Sequence, residues 1–211
     1  GRADSCDPYR IWRSRGVSAT LVLIRHGEIV RPSFTSNFDQ APLIDRGKEQ
    51  MRELARAWPA DRPVAIFASP LRRSVESAAV LAEAFRESVH ERRALKEWSP
   101  DESGIPQDAY KALERSCWAN LAFVPPSGES LASAAIRARR CLDEIAGGLE
   151  HTTAAVVGHG TLFSLVTADL KGDAPTERYK DSIGFAHAAI LATGSSLRLV
   201  RDFRPYGAVS A

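Results

Sequence analysis

Two histidines, each followed by a glycine and each preceded by a short apolar run, carry the most informative chemistry of this sequence. The tetrapeptide Arg25–Glu28 (RHGE) comes directly after Leu21–Ile24 (LVLI), and Gly158–Gly160 (GHG) comes directly after Ala154–Val157 (AAVV). Such runs are typical of buried parallel strands. Because ligands of open α/β sheets bind beyond the carboxyl ends of the strands, both imidazoles would share one crevice if these strands are neighbours. A phosphate group is the first ligand to consider there.

Arg25 and His26 have the side chains that phosphoryl transfer requires. The protein must position the phosphoryl group and balance the charge on its oxygens around one nucleophile. Arg25 offers a planar fork for two phosphate oxygens, and the neutral imidazole of His26 can attack phosphorus when a backbone carbonyl holds its other nitrogen. Gly27 would let the phosphate approach the backbone. Either His-Gly pair alone could be structural, but the two together favour a catalytic pair.

A second source of positive charge lies in Ser69–Ser74 (SPLRRS). Ser69 as a cap and Pro70 at the first helical position predict that a helix begins there. Arg72 and Arg73 would then lie in the first turn, where each opposes the helix dipole at a cost of ~0.3–1 kcal/mol. A bound anion would remove that cost, since helix amino termini also offer N–H groups to phosphate. Two solvated arginines remain the alternative for this stretch alone.

The leaving oxygen needs an acid, and Glu97 is the first candidate. It follows a weak strand pattern at 89–95, at a sheet end from which its carboxylate could reach the site. Glu28, Asp101 and Glu102 compete for this role. A solvated surface position for Glu97 is the alternative.

Alternating strands and helices must position these residues. Apolar periodicity and turn signals predict strands at 20–24, 64–68, 89–95, 154–157, 187–192 and 197–202, and helices at 45–58, 69–86, 108–119, 127–145 and 161–170. This order predicts an α/β three-layer sandwich with a mainly parallel central sheet, an antiparallel edge and helices on both faces.

One domain accounts for most of the chain. We predict that residues 18–211 form it, with an irregular insertion at about 98–127 as the candidate lid. Residues 1–17 carry four arginines and no clear period. We predict that they are a flexible segment, or one that derives from processing or expression.

Composition excludes several classes of protein. The 211 residues are 44% hydrophobic and 26% charged, which is typical of a soluble globular domain. Twenty-eight basic against 26 acidic residues are too balanced to predict a nucleic-acid or membrane partner. Without a membrane-length apolar run or signal-peptide core, we expect a cytoplasmic protein. The three cysteines lack metal-ligand spacing, so we predict no metal and no disulfide framework; the oligomeric state is open.

These motifs together resemble the histidine phosphatase superfamily, the group that includes cofactor-dependent phosphoglycerate mutases and many small phosphatases, and specifically its branch 1. The resemblance spans residues 20 to about 202. Arg25–Glu28 looks like the nucleophile motif of the family, Ser69–Ser74 like its second-arginine motif, and Gly158–Gly160 like its second-histidine motif.

The resemblance implies a role for each of these residues. His26 would attack phosphorus and become phosphohistidine, while Arg25, Arg73 and His159 hold the phosphoryl oxygens. Gly160 would contribute to phosphate binding. Water would then hydrolyse the phosphohistidine, and neither a metal nor another cofactor is implied.

One departure from the family bears on the acid and on the lid. The segment Leu95–Glu97 matches the Leu-x-Glu of the family, which implies that Glu97 is the acid, but Trp98–Glu102 replaces the glycine-containing pattern that usually follows. Glu28 and Trp98 are candidate substrate-binding residues.

The expected function is hydrolysis of a small phosphorylated metabolite by a phosphomonoesterase. A phosphoglycerate mutase-like phosphotransferase is the runner-up, but it would need a larger lid to protect the phosphohistidine from water. A catalytically silent module that binds phosphate or a phosphoprotein is the third interpretation, although binding alone does not need a nucleophile. Aromatic residues in or near the lid could form an apolar substrate wall or pack in the core: Trp98, Tyr110, Trp118 and Phe123.

Overall fold

A mixed sheet forms the centre of the protein. The computed structural model describes residues 19–31, 37–194 and 196–207. The strands are β1 (Ala19–Arg25), β2 (Ala65–Ala68), β3 (Val89–Glu91), β4 (Thr152–Gly158), β5 (Ala188–Ala192) and β6 (Arg198–Arg204). Within the described residues they form one sheet in the order β3-β2-β4-β1-β5-β6. The first four strands of that order are parallel, and β5 is antiparallel to both β1 and β6, which confirms the predicted mainly parallel sheet with an antiparallel edge.

Helices cover both faces of the sheet. They are α1 (Asp45–Arg56), α2 (Arg72–Phe85), α3 (Gln107–Ala119), α4 (Leu131–Gly147), α5 (Gly160–Lys171) and α6 (Glu177–Ser182). The buried side chains of α1 and α2 pack on one face, and those of α4 and α5 pack on the other. The three layers of the predicted fold class are therefore confirmed.

The central strands are buried on both sides. Leu21 and Leu23 of β1 belong to the core under α4 and α5, whereas Val22 and Ile24 belong to the core under α1 and α2. Successive side chains of a strand point to opposite faces, so a strand covered on both sides must be apolar throughout. This explains why the apolar runs are continuous rather than alternating.

Helix α2 begins later than predicted. The N–H of Ser69 donates to the carbonyl of Val157 at 3.0 Å and so continues the sheet ladder beyond β2. The segment stays extended, the helix begins at Arg72 after Leu71, and the prediction that Ser69 caps it was wrong. Helix α4 also begins later than predicted, because Ser130 is the residue that caps its first turn.

The candidate lid contains one helix, α3, and the segments before and after this helix are hydrogen-bonded to each other. Its ends meet in a bridge between Asp101 and Ser127, where the N–H of Glu102 donates to the carbonyl of Ser127 at 2.7 Å. The predicted amino-terminal segment, 1–17, lies outside the described residues. No helix in the described part of the chain has the length and apolarity needed to cross a membrane.

Candidate active site

The pairing of β1 with β4 brings the two histidines together. Arg25 lies opposite Gly158 in the parallel register, so the residues that follow, His26 and His159, are neighbours. The N–H of His26 donates to the carbonyl of Gly158 at 3.0 Å, and the centres of the two imidazole rings are 5.3 Å apart. The condition under which the two histidines would share one crevice, that their strands are neighbours, is met.

His26 is held as a neutral imidazole with one free nitrogen. Its Nδ1 lies 2.7 Å from the carbonyl oxygen of Gly27, so Nδ1–H donates and Nε2 keeps its lone pair. Burial, followed by the charge of Arg73, lowers the pKa of His26 to about 3, and the residue is only 5% exposed. The side chain therefore has the protonation state and tautomer of a nucleophile near neutral pH.

His159 places a second buried nitrogen near His26. The Oγ of Ser69 lies 2.7 Å from Nε2 of His159, and a hydroxyl that donates to this atom leaves Nδ1–H as a donor. Within the described residues, Nδ1 is buried and has no partner. Burial, followed by the charge of Arg73, holds the pKa of His159 well below its usual value. Ser69 is thus an orienting residue for His159, a role that its sequence position did not reveal.

Two arginines, Arg73 buried and Arg25 half-buried, add positive charge to the site, and within the described residues neither forms an ion pair. Arg25 donates from Nη1 to the carbonyl of Ile183, and Arg73 donates from Nη1 to the carbonyl of Phe38 at 3.0 Å. Their Nε atoms are buried and have no partner among the described residues. Burial lowers the pKa of both guanidinium groups. Because unpaired buried charge is costly, these donors together define a site for an anion.

Glu97 lies at the amino terminus of α5, next to the histidines. Its carboxylate accepts the N–H groups of Trp98 at 2.9 Å, Leu162 at 3.0 Å and Thr161 at 3.2 Å. Burial raises the pKa of this carboxyl, against the lowering effects of Arg73 and of these N–H groups. A carboxyl with a raised pKa can carry a proton to a leaving oxygen.

A cavity of about 220 Å³ lies against most of these groups, although His159, which is fully buried, is not among the residues that line it. The predicted residues that line it are Arg25, His26, Arg73, Glu97, Trp98 and Gly160. Phe38, from the loop after β1, also lines the cavity, beside Arg73. Other residues that the sequence did not single out for this site line its outer part: Arg31 from the same loop, Gln107, Lys111 and Glu114 from α3, and Lys180 and Asp181 from α6. Helix α6 has six residues, too short for a periodic signal, so its contribution could not be predicted.

The lid aromatics divide between the cavity and the core. Tyr110 lines the cavity, and burial raises its pKa to about 12. Trp118 and Phe123 pack against the core under α4 and α5. Trp98 does both: it lines the cavity, but it is only 4% exposed and its Nε1–H donates to the carbonyl of Glu129 at 2.7 Å.

Gly27 lies against α1. A Cβ atom at this position would lie 2.4 Å from the carbonyl oxygen of Gly47 in α1. The close approach of α1 therefore requires glycine here, and the expectation that Gly27 lets phosphate approach the backbone stays a prediction. Glu28 lies beside α1 as well, with its N–H donating to Oε1 of Gln50 at 3.0 Å, and it is not among the residues that line the cavity.

The other acid candidates are occupied elsewhere. The carboxylate of Asp101 accepts the N–H groups of Gly104 at 2.7 Å and Ile105 at 3.1 Å, and that of Glu102 pairs with Lys96 at 2.9 Å. Neither lines the cavity that contains His26. Across the described ranges, no group of three or more His, Cys, Asp or Glu is arranged to hold a metal ion.

A histidine with a free nitrogen, set among unpaired cationic donors at the carboxyl ends of parallel strands, defines a phosphoryl-handling α/β protein. The family model of the histidine phosphatase superfamily (branch 1) matches residues 21–196. The chain therefore belongs to this superfamily, and the resemblance inferred from its motifs is confirmed. Membership supports a hydrolase that acts on phosphate monoesters. A search of curated protein sequences found no significant match.

Solved structures share the fold at low sequence identity. A mycobacterial glucosyl-3-phosphoglycerate phosphatase is 21% identical with a TM-score of 0.72, over 89% of this chain and 99% of its own. YhfR of Bacillus stearothermophilus is 19% identical with a TM-score of 0.73, over 88% and 96%. A phosphoserine phosphatase of Entamoeba histolytica, solved with 3-phosphoglyceric acid, is 21% identical with a TM-score of 0.68, over 91% and 98%.

Proposed function

We propose that this protein is a phosphatase that hydrolyses monoesters of small phosphorylated metabolites through a phosphohistidine at His26. The observation that carries the proposal is the free Nε2 of a neutral His26 beside three buried donors without partners within the described residues: Arg25 Nε, Arg73 Nε and His159 Nδ1. A phosphoryl group placed against Nε2 would satisfy all three.

In the first step, Nε2 of His26 attacks phosphorus and the bond from phosphorus to the ester oxygen breaks. Glu97 gives its proton to that oxygen, so the product leaves as an alcohol rather than an alkoxide. Arg25, Arg73 and His159 stabilise the charge on the three remaining oxygens, and their positions are fixed before the substrate arrives.

In the second step, water attacks the phosphohistidine. The carboxylate of Glu97, now without its proton, accepts one from the water, and the bond between phosphorus and Nε2 breaks. Inorganic phosphate leaves, His26 regains its lone pair, and Glu97 is again protonated.

The wall of the cavity favours hydrolysis over transfer to a second substrate. Exposed residues, Lys111 and Asp181, line its outer part, so solvent reaches it. The candidate lid contributes a single helix, whereas a mutase must exclude water while the phosphohistidine waits for its acceptor. Two of the structural relatives are phosphatases by name, which is consistent with this preference.

The test is phosphate release from a panel of phosphorylated metabolites, with and without a metal chelator. We expect release that a chelator leaves unchanged and that His26→Ala abolishes, while His90→Ala, an exposed histidine on β3, keeps it. Release that survives in His26→Ala would overturn the mechanism. Transfer of phosphate to a second metabolite without release would identify a mutase instead.

A further inference from the structure

Each phosphate-site arginine rests on the face of a phenylalanine. The guanidinium carbon of Arg25 lies 4.4 Å from the centre of the Phe185 ring, and that of Arg73 lies 5.0 Å from the centre of the Phe38 ring. In both cases Nη1 donates to a backbone carbonyl of the same segment, Ile183 for the first and Phe38 itself for the second. The surroundings of the two arginines come from different loops but are alike. Each guanidinium group lies over an aromatic ring, donates to a backbone carbonyl, and has an Nε atom without a partner in the described residues.

An aromatic face suits this position better than a carboxylate. A carboxylate would hold a buried guanidinium but would also neutralise it, so phosphate would have to compete for the charge. The face of an aromatic ring attracts a cation and carries no net charge. Within the described residues neither Arg25 nor Arg73 forms an ion pair. Each guanidinium group is therefore available to bind a ligand.

The segment that carries Phe185 is tied directly to the nucleophile. The N–H of Ala186 donates to the carbonyls of Arg25 at 3.0 Å and His26 at 3.2 Å, with Ala186 in the left-handed region at φ 54°. The Phe185 ring also lies 5.6 Å from the His26 ring. A non-glycine residue at positive φ costs free energy, so the surrounding contacts must hold this turn in place.

We propose that Phe185 and Phe38 are positioning residues that hold the guanidinium planes of Arg25 and Arg73 in the orientation that binds a phosphoryl group. This inference rests on the proposed function for its substrate, but it concerns the affinity of the site for phosphate. It predicts that the rings act through the arginines and leave proton transfer by Glu97 unchanged.

The experiment compares Phe185→Leu and Phe38→Leu with Phe203→Leu, a matched variant in β6 whose ring packs 6.3 Å from that of Phe163 and outside the cavity. The dissociation constant of inorganic phosphate is measured by calorimetry, and KM and kcat by turnover. We expect the phosphate constant and KM to rise about tenfold in the first two variants, the scale of one cation–π contact, and to stay unchanged in the third.

Phe185→Tyr and Phe185→Met together separate the ring face from general packing. Both keep a large side chain, but only tyrosine keeps the aromatic face, so phosphate affinity should stay within about twofold in Phe185→Tyr and fall about tenfold in Phe185→Met. Arg31 also lies 5.0 Å from the Phe38 ring, so Phe185 gives the cleaner comparison. Should Phe185→Leu fail to fold, Phe185→Tyr and Phe38→Leu still report the effect.

The outcomes separate this inference from the proposed function. Unchanged phosphate affinity in folded Phe185→Leu and Phe38→Leu, or an equal loss in Phe203→Leu, would overturn the inference even if the protein hydrolyses esters. A protein that hydrolyses no ester but loses phosphate affinity in these two variants would support the inference and overturn the proposed function.

Discussion

At the scale of single residues, burial shifts the pKa values of the two residues proposed as nucleophile and acid. It lowers the pKa of His26 to about 3 and raises that of Glu97, so the neutral form is favoured at both. A neutral imidazole has a lone pair to give, and a neutral carboxyl has a proton to give. The same physical cause therefore favours the proposed role of each residue.

This pairing predicts a bell-shaped pH dependence of kcat/KM. Activity should fall at low pH as His26 gains a proton, near pH 3, and at high pH as Glu97 loses its proton above its raised pKa. Glu97→Gln should remove the fall in kcat/KM at high pH and slow the hydrolysis of alkyl phosphates by about 10²–10⁴-fold. The measurement is kcat/KM against pH for both proteins.

The leaving group supplies the control for Glu97. A nitrophenyl phosphate releases a stable phenolate and needs little help from an acid, so Glu97→Gln should slow it much less than an alkyl ester. Equal losses on the two esters would mean that Glu97 acts only by holding the amino terminus of α5.

At the scale of elements, the site depends on close junctions around β1. Gly27 follows the nucleophile and packs against α1, and its N–H donates to Oγ of Ser77 at 3.0 Å. The hydroxyl of Ser77 in turn donates to the carbonyl of Arg73 at 2.7 Å. The loop after β1 is thus linked to the first turn of α2, which carries the second arginine.

Gly27→Ala should disrupt this junction. Its Cβ would meet the carbonyl oxygen of Gly47 at 2.4 Å, and backbone cannot move aside as a side chain can, so we expect a loss of about 1–3 kcal/mol in the free energy of unfolding. Gly147→Ala is the matched control, because nothing lies within 4 Å of its added methyl group and alanine favours a helix. Urea denaturation measures the free energy of unfolding of both variants. Equal values for the two would show that the contact between Gly27 and α1 can adjust to the added methyl group.

The sequence predicted the elements better than the junctions between them. The apolar runs of β1 and β4 were sufficient to place His26 and His159 at strand ends, whereas the pairing of these two strands was left as a condition that the structure meets. The predicted start of α2 was wrong because the hydrogen bond from the N–H of Ser69 to the carbonyl of Val157 is a tertiary contact, and local sequence patterns do not contain tertiary contacts. For the same reason the contact of Gly27 with α1 was not predicted.

The outer part of the cavity was the least predictable part of the site. Lys180 and Asp181 reach it from α6, more than eighty positions along the chain from Glu97. Such residues carry no motif, and only the packing of α6 beside α5 brings them to the cavity. The end proposed to bind phosphate could be inferred because phosphoryl chemistry needs particular residue types, whereas the end that would bind the rest of a substrate depends on shape.

At the scale of the whole molecule, the two buried histidines of the site lower the free energy of unfolding at low pH. The buried histidines His26 and His159 are neutral in the folded protein, but each would bind a proton below about pH 6.5 once exposed by unfolding. The unfolded state then holds more protons, so the free energy of unfolding must fall as the pH falls. For His26 this loss continues until about pH 3, where the folded state also takes up a proton.

Denaturation at several pH values measures this cost. Between pH 6.5 and 4, the free energy of unfolding should fall by up to about 1.4 kcal/mol per pH unit for each of the two histidines. His26→Gln should remove the part of this pH dependence that one histidine contributes. The matched control is His90→Gln, because His90 is exposed. A slope that His26→Gln leaves unaltered would show that burial of His26 does not set its pKa.

The most direct test of the account is to trap the phosphorylated protein. A radiolabelled ester is mixed with the protein, the reaction is quenched within its first turnovers, and the labelled peptide is identified. The account predicts acid-labile, alkali-stable phosphate on His26, and none in His26→Asn. Label on another residue, or ester hydrolysis by the unmodified protein that passes through no labelled histidine, would contradict it.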